Sequence, residues 1–301
     1  MGPTASGKSE LSIKLALELR GEIINCDSVQ VYREIEIATA KVPFDERRGV
    51  PHHLIDFVPP ERNYTAGEWA RDALRAIEEI ETRGNLAIIV GGTGLYLRAL
   101  RRPFFSSPPT SEDLRARLTK IRTTRGVLYL YQLLRRLDPA SADKLHARDW
   151  PRVQRALEVR LQTHRPMSAQ ITARPRPPAL AARIRVIALQ PPRAKLYERI
   201  NQRTKAHFAA GLVDEVRELL ARGVPAGSNA LGAHGYRRVA EYLRGDRTLQ
   251  SAIEQTKLDV RHYAKRQLSW FRHDEGVEWI EGFGDDPQLP KLVMDILRQK
   301  S

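Results

Sequence analysis

A glycine-rich stretch at the start of the chain has the residue types and the spacing of a phosphate-binding loop. Residues Gly2-Pro3-Thr4-Ala5-Ser6-Gly7-Lys8-Ser9 fit the pattern G-x-x-x-x-G-K-[ST]. In such a loop backbone N–H groups surround two linked phosphates, the lysine adds a positive charge and the serine hydroxyl binds Mg²⁺. The alternative is a helix start in which two glycines fall at this spacing by chance, but chance matches are rare in a chain of this length.

Two elements must position this loop, a strand before it and a helix after it. Leucines recur every four residues from Leu11 to Leu19, which predicts the helix, and Gly21 is its expected cap. Only Met1 stands before the loop, so the strand is missing from the sequence. Either apolar residues are encoded upstream of Met1, or the protein is truncated and weakened. We favour the first explanation because the other motifs of the chain are intact.

Polar residues follow two further predicted strands. Residues 22–26 form a short buried strand that ends at Asp27. Residues 86–90 form a continuous apolar strand, as in a sheet covered on both faces, and the turn Gly91-Gly92-Thr93-Gly94 follows it. In parallel α/β sheets the carboxyl ends of the strands carry the ligand site. Glycines stand where a hydrolytic NTPase has its Walker-B carboxylate, which argues against hydrolysis of ATP or GTP.

The bulk composition limits the class of protein. A chain of 301 residues with 42% hydrophobic content suits one large domain, or a domain with an insertion. No apolar run reaches the length of a membrane span, and the N-terminus has no apolar leader. The single cysteine, Cys26, excludes internal disulfides. We therefore expect a cytoplasmic protein without a membrane segment, and no structural metal, because His52 and His53 lack partners at zinc spacing.

Positive charge is concentrated in one segment of the chain. The formal net charge is +14, which points to a polyanionic partner, most simply a nucleic acid. Segment 108–179 lies between two proline clusters and has helical periodicity. From Pro108 to Pro178 it holds 15 Lys or Arg and 6 Asp or Glu, a balance of +9. We interpret it as a basic, all-helical insertion for a polyanion, rather than as part of a merely basic protein.

Seven further motifs follow the phosphate loop along the chain. They are Asp27-Ser28-Val29-Gln30-Val31-Tyr32, Thr39-Ala40-Lys41, Pro51-His52-His53-Leu54-Ile55-Asp56, Gly91-Gly92-Thr93-Gly94-Leu95-Tyr96, Arg155-Ala156-Leu157-Glu158-Val159, Gly235-Tyr236-Arg237 and Ala264-Lys265-Arg266-Gln267. In this order they closely resemble the tRNA dimethylallyltransferases, from Gly2 to about Trp279. That family transfers a dimethylallyl group from its diphosphate to N6 of adenosine 37, beside the anticodon of certain tRNAs.

The resemblance implies a fold and a set of ligands. The fold class is α/β, with a P-loop NTPase-like parallel sheet flanked by helices and the first strand apparently missing. Residues 1–107 and 180–301 would form this core, and residues 108–179 the helical insertion that binds tRNA. Strands are expected at 22–26, 53–57, 86–90, 185–189 and 277–280. The ligands would be dimethylallyl diphosphate, the anticodon stem-loop of tRNA and Mg²⁺ bound by Ser9. The diphosphate would be a leaving group, and we expect a monomer.

Three residues are candidates for the chemistry. Asp27 would be the general base: the exocyclic amine of adenine is a poor nucleophile, and a carboxylate can orient it and remove its proton. The alternative for Asp27 is a helix cap or a bridge to Mg²⁺. The resemblance places Thr93 at the reaction centre, although it could equally cap the next helix. It also implies that Arg203 reaches the diphosphate, whereas the bare sequence favours a solvent-facing arginine.

The resemblance further implies residues that contact tRNA. Gln30 could pair with two atoms of an adenine edge, although a solvated loop residue fits equally well. The target base should be flipped out of the anticodon loop, because its amine must meet a buried prenyl carbon. The full set of expected contacts is Asp27, Ser28, Val29, Gln30, Thr93, Arg115, Pro151, Arg152, Val153, Gln154, Arg155, Lys265, Arg266, Gln267 and Arg272. A solvated helix face is the alternative for each basic residue, and Trp270 and Phe271 could stack on bases but are more often core.

Two other functions remain open at this point. A phosphate-loop kinase of a small molecule or nucleoside explains the loop but not the basic insertion. A non-catalytic tRNA-binding protein is conceivable if the missing strand is a real truncation.

Overall fold

The computed structural model of the chain describes residues 1–105, 108–172, 175–274 and 276–299. The chain divides into two compact units, one formed by Met1–Leu100 with Ala182–Ser301 and the other by Arg101–Ala181. Of the segments expected from the sequence, residues 106, 107, 173 and 174 lie outside the described part of the chain. Within the described residues, no helix is long and apolar enough to cross a membrane.

The first unit is a mixture of short parallel strands and helices. Its elements are α1 (Lys8–Leu19), β1 (Gly21–Cys26), β2 (His52–His53), α2 (Ala66–Thr82), β3 (Leu86–Gly91) and α3 (Gly94–Arg101). The four helices of the second unit are α4 (Glu112–Leu137), α5 (Pro139–Ala142), α6 (Trp150–Thr163) and α7 (Met167–Thr172). The first unit then resumes with β4 (Val186–Gln190), α8 (Arg193–Ala209), α9 (Leu212–Ala221), α10 (Tyr236–Leu243), α11 (Leu249–Arg272), β5 (Val277–Glu281) and α12 (Leu289–Arg298).

The strands of the first unit form two parallel sheets. One has the order β2-β1-β3 and the other pairs β4 with β5. In the first sheet the register pairs Gly21 with Leu86 and Cys26 with Gly91. Because β1 and β3 end side by side, the residues that follow them, Asp27 and the turn before α3, begin at the same edge of the sheet. The described residues thus have the parallel α/β character that the sequence predicts.

Two local predictions were wrong. The strand expected at 53–57 is only two residues long, because Leu54 and Asp56 have left-handed backbone conformations (φ 57° and 58°) that turn the chain out of the sheet. Gly21 does not cap α1. Arg20 takes the left-handed position (φ 49°), and Gly21 starts β1, where a Cβ atom would lie 2.6 Å from Ile88 Cδ1. That glycine is therefore required by close strand packing.

Helix α2 covers one face of the first sheet and begins with the capping box that the sequence predicts. The Thr65 hydroxyl accepts from Glu68 N, and the Glu68 carboxylate accepts from Thr65 N. On the buried face of α2, the Trp69 ring stacks on Tyr96 of α3 with centroids 4.9 Å apart. Its indole Nε1 also donates to Asn25 O at 2.8 Å. This contact fixes the last residues of β1, just before Asp27.

No described strand precedes the phosphate loop, and Met1 alone takes up strand-like pairing. The Met1 amino group donates to Ile187 O at 2.6 Å, and Leu189 N donates to Met1 O at 3.0 Å. β3 is an edge strand of its sheet. Its residues are half-buried and Leu86 is 46% exposed, so β3 is not covered on both faces as its apolar sequence suggested.

The second unit has its own core. Leu118, Leu130 and Leu134 of α4 pack with Val153 and Leu157 of α6. The helical backbone is interrupted once within α4, at Gly126 (φ 81°), where the helix is kinked. The elements described within this unit are helices joined by turns and loops.

Candidate active site

The phosphate loop joins directly to α1. Ala5 (φ 63°) and Gly7 (φ 79°) both have left-handed conformations, which curl the backbone into the helix N-terminus. Backbone N–H groups in such a curl form a concave site for an anion. Gly7 is needed on steric grounds too, because a Cβ atom there would lie 2.9 Å from the backbone nitrogens of Gly284 and Asp285. Ser6 Oγ is fully buried and has no hydrogen-bond partner among the described residues.

Lys8 is buried beside the loop that it serves. Its Nζ donates to Pro3 O at 2.7 Å, so the side chain folds back over the loop. Burial lowers the pKa of Lys8 to about 8, with the Asp27 carboxylate opposing the shift and the Arg203 guanidinium adding to it. A diphosphate bound in the loop would raise this pKa again, because it places negative charge next to the ammonium group.

A channel of about 500 Å³ opens between the loop and the carboxyl ends of β1 and β3. Thr4, Asp27, Thr93 and Arg203 all line it, although they are far apart in the sequence. The three residues proposed for the chemistry are therefore brought together by the fold. Arg203 reaches the channel from α8 and donates through Nη2 to the Thr4 hydroxyl, so it is not the solvent-facing arginine that the bare sequence favoured.

Asp27 lies in a tight turn at the end of β1. Its Oδ1 accepts from Val29 N at 2.9 Å and from Gln30 N at 3.4 Å, which orients the carboxylate. Asn25 Oδ1 accepts in turn from Asp27 N at 3.1 Å. One carboxylate oxygen is thus used to hold the turn while the side chain still lines the channel.

The Thr93 hydroxyl points towards this turn rather than capping α3. It accepts from Ser28 N at 3.0 Å and lies 3.4 Å from Ser28 Oγ. It also hydrogen-bonds with the hydroxyl of Tyr263, whose pKa is raised mainly by burial. Thr93 therefore joins the end of β1, the turn after β3 and helix α11.

The loop after Asp27 is fixed by its own side chains. Gln30 Nε2 donates to Thr39 O at 3.0 Å and to Ala40 O at 3.1 Å. The Lys41 ammonium bonds Asp56 Oδ1 at 2.6 Å and Tyr32 O at 2.7 Å. Two-atom pairing of Gln30 with an adenine would require it to leave both carbonyls, so that role stays a prediction.

Three residues of the channel were missed by sequence reasoning. They are Tyr263, His207 and His234. The rings of His234 and Tyr263 lie 4.8 Å apart. Burial, followed by the nearby Arg203 charge, lowers the pKa of His207 to about 4, so this imidazole is neutral at pH 7. The one available signal was position: Arg203 and His207 are four residues apart and share a helix face.

The residues expected to contact tRNA from α11 fall into two groups. Lys265, Arg266 and Arg272 are exposed. Gln267 is only 4% exposed and lies inside the unit, where its Oε1 accepts from Thr4 N at 2.8 Å and its Nε2 donates to Gly92 O at 3.0 Å. The buried aromatic Phe271 belongs to the core.

The same division appears in the second unit. Pro151 and Arg152 are exposed, whereas Val153 is fully buried in the core and Gln154 is 8% exposed. Arg115 Nε bonds Glu158 Oε1 at 3.0 Å, and Arg155 Nη1 bonds Glu158 Oε2 at 3.4 Å. The Glu158 carboxylate is fully buried, so both arginines have a structural partner inside the unit. The side chain of Val153 packs and is not available to RNA in this arrangement.

The described residues contain no group of three or more His, Cys, Asp or Glu side chains that could hold a metal ion. Ser9 lies in the first turn of α1, directly after Lys8, where the motif places its hydroxyl. A single hydroxyl ligand suits Mg²⁺, which keeps several waters and binds mainly through substrate phosphates.

Comparisons with known proteins decide the family. The family model described as IPP transferase matches residues 30–274. The chain belongs to the IPP transferase family. A relative named tRNA dimethylallyltransferase from Solibacter usitatus is 47% identical over 294 residues, covering 98% of this chain and 95% of that protein. Another from Koribacter versatilis is 45% identical, covering 99% of this chain and 96% of the relative.

Solved structures of other IPP transferases have the same fold. The tRNA isopentenylpyrophosphate transferase of Bacillus halodurans superposes with a TM-score of 0.72 at 36% identity, covering 99% of this chain and 94% of that chain. A eukaryotic dimethylallyltransferase described as acting on tRNA gives a TM-score of 0.78 at 27% identity, covering 100% and 79%. The resemblance and the P-loop NTPase-like α/β fold class inferred from the motifs are confirmed.

Proposed function

We propose that this IPP transferase moves the dimethylallyl group of dimethylallyl diphosphate to N6 of adenosine 37 of tRNAs. The observation that carries the proposal is the common channel: a phosphate loop, a carboxylate and a buried arginine all open into it. Such a channel can hold the leaving group at one side and the nucleophilic amine at the other. The family of the chain and the names of its relatives support the same reaction.

The diphosphate would bind in the curl of the phosphate loop. Backbone N–H groups of this loop and the Lys8 ammonium would contact the phosphate oxygens, and Arg203 is held next to Thr4 at the same place. As the carbon–oxygen bond breaks, negative charge grows on the departing diphosphate. Fixed positive groups stabilise that charge in the transition state, and each such donor contributes about a few kcal/mol.

Asp27 would act on the nucleophile. Its carboxylate can accept a hydrogen bond from the adenine N6 amine and take the proton as the new bond forms. In the balanced step, the bond from N6 to the first prenyl carbon forms and the bond from that carbon to the diphosphate oxygen breaks. One proton moves from N6 to the Asp27 carboxylate, and the electron pair leaves with the diphosphate.

Mg²⁺ fits the same site as part of the proposal. Ser9 would be its protein ligand, with the diphosphate and water completing the shell. When bound, the ion neutralises charge on the diphosphate. The partnerless Ser6 hydroxyl is a second buried polar group beside this anion site.

The RNA substrate would meet the exposed cations. Lys265, Arg266 and Arg272 of α11, and Arg152 in the other unit, are positioned on the surface and would contact phosphates. We propose that the enzyme is monomeric and works in the cytoplasm.

Incubation of the protein with tRNA, Mg²⁺ and radiolabelled dimethylallyl diphosphate tests the proposal. Label should enter tRNA, and nuclease digestion should place it on the adenosine that follows the anticodon. A parallel reaction with ATP and a nucleoside tests for a kinase. ATP consumption without label in tRNA would overturn the proposal in favour of the kinase. Salt-sensitive tRNA binding without either product would indicate a non-catalytic binding protein.

A further inference from the structure

Helix α11 makes an unusually close approach to the site through Gln267. The Gln267 carboxamide is buried and uses both of its ends, accepting from Thr4 N and donating to Gly92 O. Thr4 belongs to the phosphate loop and Gly92 to the turn that carries Thr93. One side chain therefore ties together the two loops that would hold the leaving group and the nucleophile.

The glycines of the turn make this contact possible. A Cβ atom on Gly92 would lie 1.9 Å from Gln267 Nε2, and a Cβ atom on Gly94 would lie 2.0 Å from Trp270 Cδ1. Neither glycine has a positive φ, so their lack of a side chain serves close approach rather than backbone freedom. The turn after β3 is shaped to receive α11.

Hydrogen bonds continue on both sides of this carboxamide. On one side, Thr4 accepts from Arg203 through its hydroxyl. On the other, Thr93 accepts from Ser28 N and bonds with Tyr263. The chain of contacts therefore runs from the arginine at the diphosphate side to the turn beside Asp27.

We propose that Gln267 is a positioning residue that fixes the phosphate loop relative to the turn carrying Thr93. This differs from the tRNA contact expected from its sequence motif. The inference rests on the proposed function, because it assigns Gln267 a part in that same transfer. A buried carboxamide cannot contact a phosphate in this arrangement, but it can set the distance between diphosphate and amine. Misplacement by about 1 Å costs on the order of 10²-fold in rate.

The Gln267→Ala variant separates the two roles. If the residue positions the loops, kcat for prenyl transfer should fall by about 10²-fold, while the Kd for tRNA stays within a few-fold of wild type. A fall in tRNA affinity at unchanged kcat would overturn the proposal and restore the tRNA contact. Gln250→Ala is a matched control: it is exposed on the same helix, about 25 Å away along the axis, and should leave kcat and Tm unchanged.

A second variant approaches the same contact from the opposite side. Gly92→Ala keeps every polar group but places a methyl group where Gln267 Nε2 lies, so it should lower kcat similarly. Combining Gly92→Ala with Gln267→Ala shortens the side chain at position 267 and removes that clash. The loss in this double variant should be far less than the product of the two single losses. Multiplicative losses would contradict a shared mechanism.

This second route keeps the proposal testable if Gln267→Ala proves unstable in thermal melts. The outcomes are also separable from failure of the proposed function. If the wild-type protein does not prenylate tRNA, the proposed function is wrong. If it does and Gln267→Ala and Gly92→Ala both keep near-full kcat, only the positioning role is wrong.

Discussion

At the scale of single residues, the Asp27 carboxylate has two duties. One oxygen holds the turn through Val29 N and Gln30 N, while the side chain faces the channel. A substitution at this position must therefore be judged by binding as well as by rate. Loss of turnover with intact tRNA binding is the signature of a base, whereas loss of both would indicate a role confined to the turn.

We expect Asp27→Ala to lower turnover by ~10²-fold or more, because the amine would lose the group that orients it and accepts its proton. Its affinity for tRNA should stay within a few-fold of wild type. Asp27→Asn is the matched control, since it keeps a hydrogen-bond acceptor for the turn but cannot accept the proton. Single-turnover prenylation and filter binding measure the two effects. Near-full rate in both variants would show that Asp27 is not the base.

Lys8 makes diphosphate binding dependent on pH. Its pKa in the free protein is lowered to about 8, so the ammonium loses its charge as the pH rises through that value. The affinity for dimethylallyl diphosphate should therefore fall above about pH 8, and calorimetric titration at several pH values would follow it. Lys8→Arg should hold its affinity to higher pH, because a guanidinium stays charged. The same decline in Lys8→Met would assign the effect to another group.

The sequence predicted the identity of the site residues better than their contacts. Spacing was enough to indicate the phosphate loop and to place Asp27 at a strand end. It could not distinguish Gln267 from its neighbours Lys265 and Arg266, because burial depends on Gly92, which is distant in the chain. The motifs likewise suggest a tRNA contact for Arg115, because its partner Glu158 lies 43 residues away and no local pattern reveals the pair.

At the scale of elements, a buried ion pair joins α4 to α6. The Glu158 carboxylate is fully buried and is shared by Arg115 and Arg155. Removing one cation leaves the carboxylate less well paired in a place that water does not reach, which is costly. Stability of the second unit therefore depends on residues that the sequence motif alone assigns to RNA.

We expect Arg115→Ala to lower the free energy of unfolding by about 1–3 kcal/mol. Arg117→Ala, an exposed arginine on the same helix, should change it by less than about 0.5 kcal/mol. Hydrogen exchange resolved to Arg101–Ala181 would locate the loss. If Arg115→Ala instead leaves exchange unchanged and weakens tRNA binding, the arginine serves the RNA and not the fold.

The amino-terminal end of β1 carries a second carboxylate cluster. Hydrogen bonds from Arg83, opposed by burial and assisted by Asn85 and His53, lower the pKa of Glu22 to about 2. Because the folded pKa lies below the unfolded value of 4.5, this group stabilises the fold above pH 4.5. That contribution is lost as the pH falls from 4.5 towards 2. Acid melts of wild type and Glu22→Gln should converge in this window, and parallel curves would contradict the assignment.

At the scale of the whole molecule, the charge of +14 sets how the protein responds to salt. Each phosphate contact adds about 0.7–0.9 to the slope of log Kd for tRNA against log salt. The double variant Lys265→Ala with Arg266→Ala should reduce that slope by roughly 1–2 and leave single-turnover chemistry at saturating tRNA near wild type. Lys195→Ala, an exposed lysine outside the expected contacts, is the control. An unchanged slope would remove these two residues from the RNA surface.

The fold class could be predicted from alternating strand and helix patterns, but the extent of the sheets could not. Left-handed residues such as Leu54 cut β2 short, and no local propensity marks them. The apolar run of β3 suggested burial on both faces, although coverage depends on which strands lie beside it. Strand pairing is a long-range property, and a single run of residues does not contain it.

The open edge of β3 also bears on how the protein behaves at high concentration. Residues 86–90 are Leu-Ala-Ile-Ile-Val, an uncharged segment without proline that is rich in β-branched side chains. Such segments on a sheet edge are templates for pairing between molecules, and charge elsewhere on the surface does not block the edge itself. Turbidity should therefore rise with protein concentration even in dilute salt. Aggregates should shield β3 from proteolysis more than the exposed cations of α11.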